Sequence, residues 1–280
     1  MNYKIRTAVR HEISTVIGWA KAEGWNPGIY DADTFFSSFP DGFLVGLLDG
    51  KPVSFISAVS YGNAFGFIGL YIVSGPYRGR GYGLKIWNRA IAKLSGRNVG
   101  LDGVTEQQNN YKKSGFRLAY RNIRFQGNNL NMEIDDGHIL PLSLIPIKQV
   151  SAYDHKIFPA ERPLFLKAWL TQPQSLAIGY VKNGALQGYG LIRPCQSGFK
   201  IGPLFAETEP VADKLLAKLM QYAPNDKPVF LDVPEINRPA VLLAGRYKMK
   251  PVFETARMYS RNQPDVPIQK VFGVTSFEFG

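Results

Sequence analysis

A chain of 280 residues, 45% apolar and 20% charged, is long enough for two packed cores and has the composition of an ordinary globular protein. Its apolar runs are broken before they reach bilayer-spanning length, and the start "MNYKIRTAVRHE" lacks the apolar stretch of a secretory signal, so no membrane partner is expected. The formal charge of +11 attracts anions, but its basic residues are interspersed without the block that marks a nucleic-acid arm. A phosphorylated small molecule fits this charge better than nucleic acid does. The single cysteine, Cys195, has no internal disulfide partner, which fits a reducing cytoplasm. A specialised secretion route would leave no signal of this kind.

In chain order, residues 3–9 read as a strand, and Ile13, Val16, Ile17 and Ala20 give the next segment helical spacing. "WNPG" (25–28) is a turn, and a short helix over 31–38 is expected to be capped by Asp31 or Asp33. Two β-rich runs joined at Asp49-Gly50 predict a hairpin, and "FGFIGLYIV" a third strand buried on both faces. A Gly/Arg loop and a helix over 83–94 follow. Then come a strand at "RNVGLDGV", a short helix at "EQQNNYKKSG" and a closing strand at "FRLAYRNIRFQG". Around 140–150, "LPLSLIPIKQV" reads as a linker or a strand opening a second sheet. The pattern then repeats in outline. It runs through helices near 153–170, a hairpin turning at Asn183-Gly184, "FKIGPLFA", "PVADKLLAKLMQYA", "KPVFLDV", "RPAVLLAGRY" and "PVFETARMYS". A last strand is expected at "VFGVTSFEFG".

The string "PYRGRGYG" (76–83) falls where a strand gives way to a helix. The first turn of a helix offers unpaired N–H groups and a positive dipole end, which together favour an anion. Gly79, Gly81 and Gly83 let a phosphate approach the backbone, and Arg78 and Arg80 add charge. The loop is no P-loop, since G-x-x-x-x-G-K-[ST] is missing. It is no dinucleotide fingerprint either, because the third glycine would fall at Leu84 or Ile86. A plain glycine-rich connection with surface arginines is the bland reading.

The segment from Arg78 to Gly83 resembles the Arg/Gln-x-x-Gly-x-Gly/Ala signature of the GNAT superfamily of acyl-CoA-dependent N-acetyltransferases, and Tyr111 to Phe116 is similar to that family's Tyr-x-x-x-Gly-Phe segment. With "EGWNPG", "GLDGV", "GPLFA", "FETARMY" and the terminal "GVTSFEFG", the whole chain looks like a bacterial protein with two tandem GNAT-like domains. The fold implied is α+β, each domain a mixed, mostly antiparallel central sheet flanked by helices, divided as 1–140 and 141–280.

The resemblance further implies acetyl-CoA as co-substrate and no metal. Its pantetheine would lie along Tyr71, Ile72 and Val73. Its diphosphate would lie at Arg78, Gly79, Arg80, Gly81, Tyr82, Gly83 and Leu84, with Gln107, Gln108 or Asn110 replacing the asparagine that relatives carry at the position of Val104. Tyr111 would act as the acid for the departing thiolate. The fourth strand holds no carboxylate, so Glu106 and Asp102 are the candidates for a base, beside a water relay. Trp25, Asn26 and Tyr30 would border an acceptor amine. The expected state is a monomer or homodimer acting on a small-molecule or peptide amine. A non-catalytic acyl-CoA sensor or interaction module is the alternative.

In the second half, "FAETEPVAD" replaces the glycine loop with Glu207 and Glu209, which oppose a diphosphate but suit a helix start. Asn237 and Ala240 match the family pattern, yet Ala244 stands where the tyrosine would be. Cofactor binding is therefore expected in the first half alone.

Overall fold

The computed structural model describes residues 2–130 and 134–280. The first half runs β1 (Tyr3–Thr7), α1 (Arg10–Ala22), α2 (Asp31–Ser38), β2 (Phe43–Leu48), β3 (Lys51–Tyr61), β4 (Phe65–Val73), α3 (Tyr82–Lys93), β5 (Asn98–Val104), α4 (Gln108–Lys113) and β6 (Arg117–Asn128). The second runs β7 (Ile139–Pro141), α5 (Ile147–His155), α6 (Pro163–Trp169), β8 (Leu176–Lys182), β9 (Ala185–Pro194), β10 (Phe199–Ala206), α7 (Glu209–Met220), β11 (Pro228–Pro234), α8 (Arg238–Arg246), β12 (Lys250–Tyr259) and β13 (Val271–Gly273). The fold class is α+β.

Both expected hairpins form. Asp49 and Gly50 have φ of 46° and 83°, and Asn183 and Gly184 have 51° and 74°. Two successive positive φ angles make the tight turn whose twist matches the flanking strands. Neither Asp31 nor Asp33 caps α2, whose N-cap is Tyr30 without a side-chain bond. Asp31 instead accepts from the Gly28 N–H at 2.9 Å and turns inward. The last ten residues are a strand only over β13, and residues 274–280 continue as buried irregular chain.

All the strands belong to one sheet, in the order β1-β2-β3-β4-β5-β12-β6-β11-β10-β9-β8-β7, with β13 on β10. The expected closing strand of the first half, β6, is therefore interior. It lies between β12 and β11, both from the second half. Conversely β12 crosses over to pair with β5. The first half gives β6 to the second and the second gives β12 to the first, so backbone hydrogen bonds knit the two together.

β3 shows why the sheet is covered on both faces. Phe55 and Val59 join a cluster with α1, α2 and α6, whereas Ile56 and Ala58 join the cluster under α3. The period-two alternation of a strand sends these pairs to opposite sides. A separate cluster packs α7 and α8 on β9, β10 and β11. The junction also contains three buried Arg–Asp pairs that each link one half to the other. Arg193 grips Asp31 from 2.9 Å, Arg124 grips Asp232 from 2.7 Å and Arg257 grips Asp102 from 2.8 Å. Each is a two-point contact, the geometry that best offsets the cost of burying both charges.

Candidate active site

β4 and β5 run parallel and bonded only from Phe65 to Ile68 and from Asn98 to Leu101. Beyond that they part. Between β3 and β4 the register slips after Gly69, so that β4 carries one extra residue there. Leu70 takes a φ of 45° and bends the strand away from β5. The side of β4 facing β5 then lacks a strand partner from Gly69 to Val73. A cleft of about 430 Å³ fills the opening.

The loop after β4 closes one end of this cleft. Gly79 and Gly81 have φ of 73° and 80°, angles that cost other residues strain, and no atom lies within 4 Å of where their Cβ atoms would stand. Gly81 is the N-cap of α3 and offers no side chain, so the first N–H groups of this 12-residue helix point out of the loop unpaired. At Gly83 a Cβ would come within 2.7 Å of the Tyr71 hydroxyl, so only glycine leaves the passage open.

The expected site residues divide. Tyr71, Ile72, Val73, Arg78, Gly79, Gly81, Gly83, Leu84, Gln107, Tyr111 and Trp25 line the cleft. The Arg78 guanidinium is engaged by the Val73 carbonyl at 2.9 Å and by Glu23. Arg80 lies over the Tyr77 ring, outside the lining. The Tyr82 ring lies outside the lining and packs at a tilt on Tyr3, with centroids 4.7 Å apart. Asn110 sits outside as well, donating to Gln107 at 2.7 Å. Glu106 is exposed on the turn before α4 and does not reach the lining. Asn26 is a tether instead of a wall, bonding to Ser197 at 2.9 and 3.2 Å, while Tyr30 lies outside.

Tyr111 is held by Trp87, with ring centroids 5.4 Å apart, and by Gly103, where a Cβ would collide with its ring. Burial and the neighbouring Tyr71 hold its phenol well above the ordinary tyrosine range. Its hydroxyl has no hydrogen-bond partner among the described residues, and it borders the cleft. Tyr71 is pushed up to about 12 by burial and Tyr3.

The opposite wall comes from the second half: Phe253 and Thr255 of β12, then Phe277 and Glu278 of the buried tail. The strings around them, "FETARMY" and "GVTSFEFG", resemble tandem GNAT-like proteins, but nothing in those strings marks a site, and Phe253 reads as a core residue. Arg124 supports the wall from behind, lying 4.7 Å over the Phe277 ring and donating to the Trp25 carbonyl at 2.8 Å. Glu278 backbone is wedged where the strands part, so that a Cβ on Gly69 would stand 2.2 Å from its carbonyl oxygen.

The second half repeats the parting of strands, and there the opening is filled. β10 and β11 are bonded from Phe199 to Ile201 and from Val229 to Leu231. Past that point β13 lies against β10, and the Val274 N–H donates to the Asp232 backbone carbonyl at 2.9 Å. Asn237 donates its amide to the carbonyls of Ile268, Gln269 and Val271 at 3.2, 3.2 and 2.9 Å. Lys270 pairs with Glu207 at 2.6 Å. The chain's own segment 268–274 thus occupies the equivalent cleft.

A parted β4/β5 pair with a glycine-bounded helix start at its mouth defines an acyltransferase of the GNAT type, and the chain belongs to that family. Residues 10–116 match the acetyltransferase (GNAT) family, and residues 150–273 match an acetyltransferase (GNAT) domain. The holothin acyltransferase of Pseudoalteromonas sp. (strain SANK 73390) is 31% identical over 276 residues, spanning 98% of this chain and 94% of that one. Among solved structures, a putative acetyltransferase from Pyrococcus horikoshii has a TM-score of 0.85 at 24% identity, covering 99% of this chain and 96% of its own. A tandem GNAT protein from the clavulanic acid biosynthesis pathway has a TM-score of 0.62 at 14% identity, covering 94% and 100%.

Proposed function

We propose that the chain transfers an acetyl group from acetyl-CoA to a primary amine by direct attack, using the first-half cleft. The observation that carries this reading is the unpaired helix start of α3, reached through Gly79 and Gly81, at the mouth of a cleft that contains Tyr111. The residues present fit the co-substrate. A Cβ at Gly83 would fill the passage beside Tyr71, and the partnerless edge of β4 offers main-chain groups to an extended amide chain.

In this reading the amides at the start of α3 bind the diphosphate, helped by the helix dipole. The bound thioester supplies the activated acyl group. Tyr111 keeps its proton through the physiological range, because its phenol is raised by burial, and holds that proton for the departing sulfur. The aromatic wall of Trp25, Phe253 and Phe277 excludes water from the acceptor side.

Assay with acetyl-CoA and a panel of primary amines, reading free thiol, tests the proposal. Holothin joins the panel because a relative is named for acting on it. Amine-dependent thiol release with formation of the amide is the expected result. A panel that yields none, with CoA failing to bind by calorimetry, would overturn it.

A further inference from the structure

We propose that Glu278, delivered by the tail of the second half, takes the proton from the acceptor ammonium and selects a cationic amine with an apolar body. The inference rests on the acetyltransferase reading above.

Three carboxylates line the cleft: Glu23, Asp102 and Glu278. Glu23 is bound to Arg78 at the rim. Asp102 accepts from Arg257 through both oxygens and from the Asn122 amide at 2.8 Å, so although burial raises its pKa its oxygens are already taken by donors. Among the described residues, none donates a hydrogen bond to the Glu278 carboxylate. The residue is only 5% exposed and borders the cleft. A buried carboxylate without a donor is a costly arrangement, and an arriving ammonium relieves it.

The surroundings favour the same role. Lys200 on β10, Asp31 on α2, Arg124 on β6 and Arg193 on β9 form the charged ground around it. Arg193 is committed to Asp31 and Arg124 to Asp232. Lys200 donates to the Asn26 carbonyl at 2.8 Å. Burial raises the Glu278 pKa above the ordinary carboxylate value, with Asp31 adding to the rise and Lys200, Arg124 and Arg193 opposing it. A base raised in this way sits nearer to the task of accepting a proton at neutral pH. Trp25, Phe253, Phe277 and Thr255 line the same cleft, and the buried Thr255 hydroxyl has no hydrogen-bond partner among the described residues. Three rings and one carboxylate suit an ammonium on an apolar body.

The steps balance. The ammonium gives one proton to Glu278, and the freed nitrogen pair forms the C–N bond at the thioester carbon. The C–S bond breaks with its electron pair on sulfur, which takes the Tyr111 proton. The second nitrogen proton returns to Tyr111, and Glu278 releases its own to solvent. The products are the amide, free CoA and one proton.

The test compares wild type, Glu278→Gln and Glu278→Asp with acetyl-CoA and two acceptors: benzylamine, which must lose a proton, and aniline, which is already neutral. With benzylamine at neutral pH, Glu278→Gln should lower kcat/KM about 100-fold. Glu278→Asp should retain part of the rate, and CoA affinity by calorimetry should stay within twofold. The acidic limb of the pH profile should change in Glu278→Gln, and with aniline its deficit should shrink to less than about fivefold. Intact CoA affinity certifies the folded state of each variant. Equal rates for wild type and Glu278→Gln with both amines would sink the role of Glu278 and leave the acetyltransferase reading standing. An equal deficit with both amines would make Glu278 structural. A wild type that acetylates neither amine, nor any other of the panel, overturns both readings.

Discussion

The Asn237 amide donates to the Val271 carbonyl at 2.9 Å, and in doing so it fixes the chain's own segment in the second cleft. The family resemblance implies that an asparagine at this position would contact a co-substrate. Here the same amide is spent on three carbonyls of the tail.

The first prediction follows from that relationship. Calorimetry with CoA should return one site per chain. Asn237→Ala should lower the unfolding free energy by about 1–3 kcal/mol, because buried carbonyls lose their donor. Urea denaturation measures it, and a stoichiometry of two would contradict the filled cleft.

Gly81→Asp should weaken CoA binding by about 100-fold or more. An L-residue at a φ of 80° is strained, and the new carboxylate faces the diphosphate. Circular dichroism unchanged alongside lost binding separates the local effect from unfolding.

Tyr111→Phe keeps the ring contacts with Trp87 and removes only the hydroxyl, which has no partner among the described residues. Turnover should fall about 100-fold with CoA affinity nearly intact. Equal turnover in the two proteins would remove Tyr111 from the chemistry.

Alkaline pH should destabilise the fold. Burial raises the phenols of Tyr61, Tyr71, Tyr111, Tyr120 and Tyr189. A raised folded pKa contributes stability that is complete below the ordinary tyrosine value of about 10 and is lost as pH rises through the folded values. Near-ultraviolet titration should show these rings ionising late, and the thermal midpoint should decline only above about pH 10.

Neither residues 1–140 nor 141–280 should fold alone. Separated, β6 loses both its neighbours, and β12 loses β5 and β6. Each fragment is expected to aggregate, while co-expression should give a one-to-one complex by gel filtration. Arg193→Met in the whole chain leaves Asp31 buried without its cation and should cost about 3–5 kcal/mol.

Local chemistry was legible in the sequence. Asp49-Gly50 and Asn183-Gly184 announce their turns because few dipeptides accept two positive φ angles. The glycines of 79–83 mark a helix start open to an anion, and Tyr111 enters through the resemblance of the segment from Tyr111 to Phe116 to a family motif. These are near-neighbour constraints, resolved within a few residues along the chain.

What only tertiary structure decided is which distant residues face one another. The apolar pattern of β6 suits an edge or an interior strand equally, and only the positions of β11 and β12 choose between them. Glu106 is close to Tyr111 in sequence and turns outward to solvent, whereas Glu278, more than half the chain away, borders the same cleft. The exchange of strands carries the second half's wall across the first half's site. No composition or period encodes that meeting, since it arises from the pairing of whole strands through backbone groups that every residue shares.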